Sequence, residues 1–344
     1  MKRNDLPSFA DSICDLRVKK VKRQFFHQMD ALLDWEAISK EIDKHYKKGK
    51  SAVGCPSYDG LLLFKMSLLQ TWYGLSDYEV EDRVNDSLSF GKFCGLRIEQ
   101  LAPDHSTLSR FRTMMTKAGA YEKLFKEINS QLEKHRIIVK NGAIVDASVV
   151  ETPLKPKGKV NHRVTEDRKD EEPIKVKKEY ADSVDQEGAW LKKGNKFYYG
   201  YKKHVVTDDE EGVVLGVLTT PANTNEITNL SQVLDTADLP ENIPLKADKG
   251  YQSEKNNQLL KERKLKNHIL KKAKKNKPLT EREKLFNKLI GKVRYKVERT
   301  FGSIKRWFSG GVARYRGLEK MHTQNLLEAI CYNLYRSPGI IGSN

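Results

Sequence analysis

Three acidic residues stand in local sequences that indicate chemistry. Asp146 lies in the β-branched run AIVDASVV, Asp248 follows a strand-like segment in KADKGY, and Glu298 lies in the helical pattern RYKVERTFGSIKRW. Carboxylate oxygens are hard ligands that suit Mg²⁺ or Mn²⁺, and a pair of such ions can hold the attacking and leaving oxygens of a phosphoryl transfer. The three residues therefore predict a divalent-metal site, if the fold brings them together.

Each of these carboxylates also has an ordinary structural interpretation. Asp146 can face solvent at a strand edge, since burial of an isolated carboxylate is costly. Asp248 can be a turn residue, which is common before glycine. Glu298 can belong to a surface salt-bridge ladder with Arg294. Only the combination of the three favours a metal site.

The charge of the chain indicates a polyanionic partner. The 344 residues include 63 Lys and Arg against 46 Asp and Glu, which gives a net charge of +17 and favours phosphate backbones through counterion release. With 38% hydrophobic residues the chain can build a real core, in about two domains. The apolar run from Leu61 is too short to span a bilayer, and no signal peptide or CxxC pair is present. Nucleic acid in a reducing cytosol is thus expected, with no membrane, zinc site or disulfide framework.

Residues 1 to about 138 are predicted to be helical, because no strand alternation occurs there. The helix signals are Ser57 and Gly74 around the run from Leu61 to Tyr73, the Ser76 and Glu79 capping box, and Asp104 and Gly119 around a further helix. This half of the chain is therefore interpreted as a helical module.

The pattern changes at Ile137, where IIVKNGAIVDASVVE predicts a strand. The charged, proline-containing segment 153–190 has the composition of a loop or insertion. YYGYKKHVVTDDEEGVVLGVLTT then predicts a hairpin. A helix from about Glu226 to Asp235 follows, then a strand in IPLKADKGY, a short helix in EKNNQLLKERK and a strand in KNHILKK. A long amphipathic helix opens at a second capping box, Thr280 with Glu283. This order predicts a mixed α/β domain.

In combination, the motifs resemble those of bacterial DDE transposases. ADKGY has the D-x-G-[FY] pattern, and RYKVERTFGSIK has R-(3)-E-(6)-K spacing in Arg294, Glu298 and Lys305. GNKFYYGYKKHVV, the tail GLEKMHTQNLLEAICYNLYR and the stretches PSYDGLLLFKMSLLQTWYGLSDYEVEDRV and DHSTLSRFR resemble the insertion sequence 5 group of the insertion sequence 4-like assembly. The resemblance covers roughly residues 20–340. One departure is Gly291, where the family has a phosphate-contacting tyrosine that nearby Tyr295 could partly replace.

The resemblance implies a ribonuclease H-like catalytic domain at residues 139–344, with a charged insertion at about 153–190, after a helical DNA-binding domain at residues 1–138. It implies that Asp146, Asp248 and Glu298 are catalytic and hold two Mg²⁺ ions, for which Mn²⁺ can substitute. The enzyme would bind the terminal inverted repeats of an insertion sequence, cut and join DNA strands, and act as a homodimer on double-stranded DNA in the bacterial cytoplasm, at the nucleoid.

Two alternatives remain open. The chain can be a catalytically inactive or repurposed sequence-specific DNA-binding protein, or a metal-dependent nuclease that cuts without joining. The presence of all three carboxylates with their flanking motifs favours the active enzyme, because a decayed copy is expected to have lost at least one.

Two sets of residues are candidates for DNA contact. DHSTLSRFRTM can be the recognition helix of a helix-turn-helix, or its apolar residues can simply pack a bundle; the polar candidates are His105, Ser106, Thr107, Ser109, Arg110 and Arg112. The second set lies near the predicted metal site and comprises Arg294, Lys305, Tyr251, Arg299, Arg306 and Trp307. At about 100° per residue, Arg294, Glu298 and Lys305 share one helix face, which predicts that all three point into one cleft with the aspartates.

Overall fold

The computed structural model describes residues 20–46, 57–157, 161–164, 176–179, 182–273 and 278–342. The helices are α1 (Lys20–Leu32), α2 (Trp35–His45), α3 (Gly60–Tyr73), α4 (Asp77–Asp86), α5 (Leu88–Cys94), α6 (His105–Lys117), α7 (Ala120–Lys134), α8 (Glu226–Asp235), α9 (Glu254–Glu262), α10 (Glu281–Phe308) and α11 (Leu318–Ile341). The strands are β1 (Ala143–Glu151), β2 (Asn161–Val164), β3 (Val176–Glu179), β4 (Ala189–Lys193), β5 (Lys196–Asp208), β6 (Val214–Pro221), β7 (Pro244–Ala247) and β8 (Lys266–Ile269). Of the described helices, none has the length and apolar character needed to cross a membrane.

The predicted helix signals operate in the helical region, with one exception. The capping box of Ser76 and Glu79 forms both of its hydrogen bonds, and Gly74 ends α3 in the left-handed conformation, with φ of 67°. The N-cap of α3 is Asp59 and not Ser57, since the Asp59 carboxylate accepts a hydrogen bond from the first turn. Asp59 is the better cap because it directly precedes Gly60, the first residue of the helix, so its carboxylate reaches the free N–H groups of the first turn.

One mixed sheet forms the second half of the described chain. Its strand order is β4-β5-β1-β7-β8, and β6 also pairs with β5. The central strand β1 is antiparallel to β5 and parallel to β7, which is itself parallel to β8. The predicted hairpin is β5–β6. The structure adds β4, and it adds the hairpin β2–β3 within the segment that was expected to be a loop. The composition of this segment does not predict strands as short as β2, β3 and β4, because these strands are defined by hydrogen bonds between backbone groups and not by a pattern of apolar side chains.

The register of the sheet decides which residues of β1 and β7 are neighbours. Val145 of β1 pairs with Ala247 of β7 in parallel. Asp146 and Asp248 each directly follow one member of that pair, so the two aspartates lie side by side at the same level of the sheet. β1 thus carries Asp146 near its middle, whereas Asp248 follows the end of β7.

The last helix, α11, joins the helical region to the sheet. It is buried on all sides along most of its length. The Trp72 indole N–H donates to the Cys331 carbonyl at 3.0 Å, and the Asn333 side chain donates to Asn129 of α7 at 2.9 Å and accepts from the Val214 N–H of β6 at 2.8 Å. One continuous hydrophobic core therefore includes residues from both halves of the chain.

Candidate active site

One guanidinium group joins the two aspartates. Arg294 of α10 donates through Nη2 to Asp146 Oδ2 at 3.1 Å and through Nη1 to Asp248 Oδ1 at 3.5 Å. The side chains of Arg294 and Asp146 are 15% and 18% exposed, so this contact is shielded from much of the solvent. Residues from β1, from the end of β7 and from α10, which are far apart in the sequence, thus meet at one point.

Asp146 is the most deeply buried carboxylate of this group. Burial raises its pKa above the usual range, and the positive charge of Arg294 opposes that shift. The backbone N–H of Ala147 also donates to Asp146 Oδ1, at 2.9 Å. A partly buried carboxylate gains much from a neighbouring cation, because desolvation disfavours its charged form.

Two of the three predicted metal ligands converge. Glu298 lies one turn after Arg294 on α10 and is exposed. Within the described ranges, no three Asp, Glu, His or Cys side chains lie close enough to hold a metal ion. Asp146 and Asp248 nevertheless fit a hard divalent cation in their chemistry, since both carboxylates already share one cationic partner.

The orientation of α10 is fixed by the turn between β5 and β6. Three side chains of α10 donate hydrogen bonds to carbonyl groups of that turn, Lys296 to Asp209 at 2.6 Å, Arg299 to Glu211 at 2.6 Å and Thr300 to Gly212 at 2.7 Å. Arg299, a predicted DNA contact, is thus half-buried and engaged within the protein. These bonds set which face of α10 meets the aspartates.

Lys305 does not share the environment of Arg294. Its neighbouring charges are those of Lys203, Lys193 and Glu151, and burial together with the two lysines lowers its pKa. The prediction that Lys305 points into the cleft with both aspartates is therefore wrong in this structure. The physical reason is the length of α10, which carries Lys305 away from Asp146, towards the end of β1.

Two other predicted contacts of α10 lie near its end. Arg306 is exposed, and Trp307 is 40% exposed, with its ring centroid 4.9 Å from that of Tyr335. Both side chains are therefore accessible on the same stretch of the helix as Lys305.

Two of the predicted DNA contacts are inside the protein. Arg112 is 5% exposed, and its guanidinium donates to both carboxylate oxygens of Asp77, at 3.0 and 2.7 Å. It also lies over the ring of Tyr315. Tyr251 is fully buried beside the aspartates. These two side chains are structural in the described conformation, contrary to the prediction.

The remaining candidates of α6 form an accessible surface. Ser106 and Arg110 are exposed, and Arg110 Nη2 donates to the hydroxyl groups of Ser106 and Thr107 at 3.1 and 3.3 Å. His105 stacks on Tyr78 with ring centroids 3.8 Å apart, and Ser109 is partly exposed. The apolar face of the same helix is buried, as expected if its apolar residues pack a bundle, and the role of its exposed polar face in DNA recognition stays a prediction. Asp104 caps the helix, and hydrogen bonds from Ser106 and Thr107 lower the pKa of Asp104 to about 2.

Glu226 is a further acidic residue near the aspartates that no sequence motif singles out. It occupies the first turn of α8, and its Oε1 lies 3.2 Å from Nζ of the buried Lys202. Its negative charge acts on Asp146. Only the topology of the sheet could have indicated Glu226. β6 and β1 are both antiparallel to β5, so β6 ends at the same edge of the sheet at which ligand sites of α/β proteins collect.

Comparisons with known proteins agree with this arrangement. The family model described as "Transposase DDE domain" matches residues 139–334, and the one described as "Transposase domain (DUF772)" matches residues 15–114. The chain is 33% identical over 258 residues to the transposase for insertion sequence element IS1106 from Neisseria meningitidis serogroup B, an alignment that covers 74% of this chain and 86% of that protein.

Two solved structures are similar at a low level. A piggyBac transposase synaptic complex with hairpin DNA has a TM-score of 0.42 and 11% identity, covering 94% of this chain and 75% of that one. A Mos1 mariner paired-end complex with Mn has a TM-score of 0.19 and 11% identity, covering 98% and 93%. The family model that matches residues 139–334 and the relative from Neisseria show that the chain belongs to the family of insertion-sequence transposases with a DDE domain.

Proposed function

We propose that this transposase binds the terminal inverted repeats of its insertion sequence and catalyses metal-dependent cleavage and transfer of DNA strands. The observation that carries the proposal is the meeting of Asp146 and Asp248 at Arg294. Two carboxylates at one level of adjacent strands, facing a cationic helix, form a suitable place for phosphodiester chemistry.

Asp146, Asp248 and Glu298 are the residues that would hold divalent cations, Mg²⁺ by preference and Mn²⁺ as a substitute. When bound, such ions supply the positive charge that stabilises a phosphoryl transfer. Arg294 is then free to turn its guanidinium from the aspartates to a DNA phosphate, for which its planar fork is suited. Glu298 is on the same face of α10, one turn after Arg294, and a rotation of its side chain would bring its carboxylate towards the aspartates.

We further propose that residues 139–344 form a ribonuclease H-like domain of the insertion sequence 5 group. The mixed sheet with the two aspartates on neighbouring strands supports this assignment. Residues 1–138 would recognise the repeats through the exposed face of α6. Two element ends require two active sites, so a homodimer on double-stranded DNA, in the bacterial cytoplasm at the nucleoid, is the expected assembly.

An inactive DNA-binding protein is the second candidate. It is favoured by the exposure of Glu298 and by the contact of Arg294 with both aspartates. One experiment separates the two. Full-length protein is incubated with duplex DNA carrying the ends of its own element, with Mg²⁺ or with EDTA, and the strands are mapped on a denaturing gel. Cuts at the element ends that require Mg²⁺ and are absent with Asp146→Asn support the enzyme. Binding to the repeats with no cleavage would establish the alternative.

A further inference from the structure

Glu226 lies against the turn that follows Asp248. A side-chain carbon placed on Gly250 of that turn would be 3.8 Å from Glu226 Oε2. The Asn256 side chain donates to the carbonyls of Ile227 and Tyr251, at 3.0 and 2.7 Å, and so fastens the first turn of α8 to the same turn. The first turn of α8, which carries Glu226, is therefore fixed against the turn that follows Asp248.

An unpartnered hydroxyl group is buried among these carboxylates. Tyr251 is 0% exposed, and its hydroxyl has no hydrogen-bond partner among the described residues. The pKa of this hydroxyl is raised well above its usual range, first by burial and then by the negative charges of Glu226, Asp146 and Asp248. A buried hydroxyl is rarely left without a hydrogen-bond partner, so this one indicates that a further polar group, such as water carried by a cation, lies beside the carboxylates.

The charges around this point do not balance. Three carboxylates, those of Asp146, Asp248 and Glu226, face two cations of the protein itself, Arg294 and Lys202. Each carboxylate has a cationic partner, but the five groups together carry one net negative charge. Because uncompensated charge is costly in a partly buried site, the cluster should attract an additional cation.

We propose that Glu226 is a fourth carboxylate of the divalent-cation site, beside Asp146, Asp248 and Glu298, and that Lys202 holds it in place until a cation binds. The inference rests on the proposed function, since it adds a residue to the same site. It also accounts for the present partners of these carboxylates, since Arg294 engages Asp146 and Asp248 and Lys202 engages Glu226.

Mn²⁺ binding to the full-length protein in the absence of DNA tests this inference. The metal is removed with EDTA and dialysis, and Mn²⁺ alone is titrated and followed by electron paramagnetic resonance. Glu226→Gln keeps the shape of the side chain and removes its charge, so Mn²⁺ affinity should fall on the order of tenfold. The matched control is Glu241→Gln, a surface carboxylate paired with Lys264, which should bind Mn²⁺ like the original protein. Affinity of Glu226→Gln within twofold of that control, with an unchanged circular dichroism spectrum, would overturn the inference.

Asp146→Asn separates failure of the inference from failure of the proposed site. If Asp146→Asn abolishes Mn²⁺ binding and Glu226→Gln does not weaken it, Glu226 is no ligand while the site stands. If neither variant changes Mn²⁺ binding, the divalent-cation site itself is refuted.

Lys202→Met provides a test of opposite sign. Removal of the competing ammonium group should strengthen Mn²⁺ binding, and this gain should vanish when Glu226→Gln is also present, because the two residues are then coupled. An equal gain in both backgrounds would show a general effect of charge and would contradict a role for Glu226.

Discussion

The two ends of the polar face of α10 lie in opposite electrostatic environments. Arg294 faces two carboxylates, whereas Lys305, on the same face, lies near Lys203, Lys193 and Glu151, and Lys203 is itself paired with the buried Glu328. A helix rises 1.5 Å per residue, so the two positions are about 16 Å apart. Periodicity fixes the direction of a side chain around a helix, but its distance along the axis decides which partner it meets.

The difference suggests a division of labour along one helix. The end near Arg294 is rich in carboxylates and suits a cation. The end near Lys305 is rich in cations, since Arg306 also lies there, and suits a phosphate backbone. A DNA strand that follows α10 would thus be held by the second end while its scissile phosphate lies at the first.

The strongest test of this comparison removes the charge of the predicted ligands. Asp146→Asn, Asp248→Asn and Glu298→Gln should each reduce strand cleavage on the order of a thousandfold or more, because loss of metal charge removes several kcal/mol of stabilisation. DNA binding, measured by gel shift, should remain. Glu151→Gln is the matched control at the other end of β1 and should cleave normally. Any of the three variants with near-normal cleavage would have to be dropped from the set of ligands.

Arg294→Ala should have the next largest effect. We expect cleavage to fall about a hundredfold through loss of a guanidinium at the reacting phosphate, and Arg294→Lys should recover part of it. The thermal midpoint should also fall in EDTA, because two partly buried carboxylates lose their partner, and Mg²⁺ should restore most of it. An unchanged midpoint in EDTA would mean that the contact between Arg294 and the aspartates contributes nothing to the free protein.

Lys305→Ala should act on binding and leave the fold intact. Removal of one phosphate contact should weaken DNA binding several-fold for all sequences alike and reduce the slope of log affinity against log salt by about one. Lys264→Ala, an exposed lysine paired with Glu241, provides the control. A sequence-dependent loss would show that Lys305 reads bases, and no loss would remove it from the DNA surface.

The smallest effect on DNA cleavage and binding is expected at His204 of β5, where the change concerns folding stability. Burial, followed by the charge of Lys202, lowers its pKa to about 4, against 6.5 for an exposed histidine. Because the unfolded chain binds a proton at this histidine more readily than the folded protein, the free energy of unfolding is highest above pH 6.5 and falls as the pH is lowered to 4. The total loss of stability over this interval is about 3 kcal/mol. Urea unfolding should therefore show a steeper loss of stability over this range than in His204→Gln. Parallel curves for the two proteins would indicate that the pKa of His204 is not lowered.

Local signals in the sequence predicted much of the fold. The capping box of Thr280 and Glu283 opens α10, and the predicted helix from Glu226 to Asp235 has the bounds of α8, because these signals act within a few residues. The site depends on contacts that have no local signal. The pairing of Val145 with Ala247 brings the aspartates together, and Glu226 resembles any acidic residue in the first turn of a helix.

The position of α11 has a consequence for synthesis of the protein. This helix begins at Leu318, yet it fills the core against α3 and α7, which end at Tyr73 and Lys134 and leave the ribosome long before it. The first half of a nascent chain must therefore wait, with its apolar surface uncovered, until the carboxyl-terminal end emerges. A truncated product that lacks α11 should be prone to aggregation and degradation, so premature termination would not release a stable fragment of the helical region.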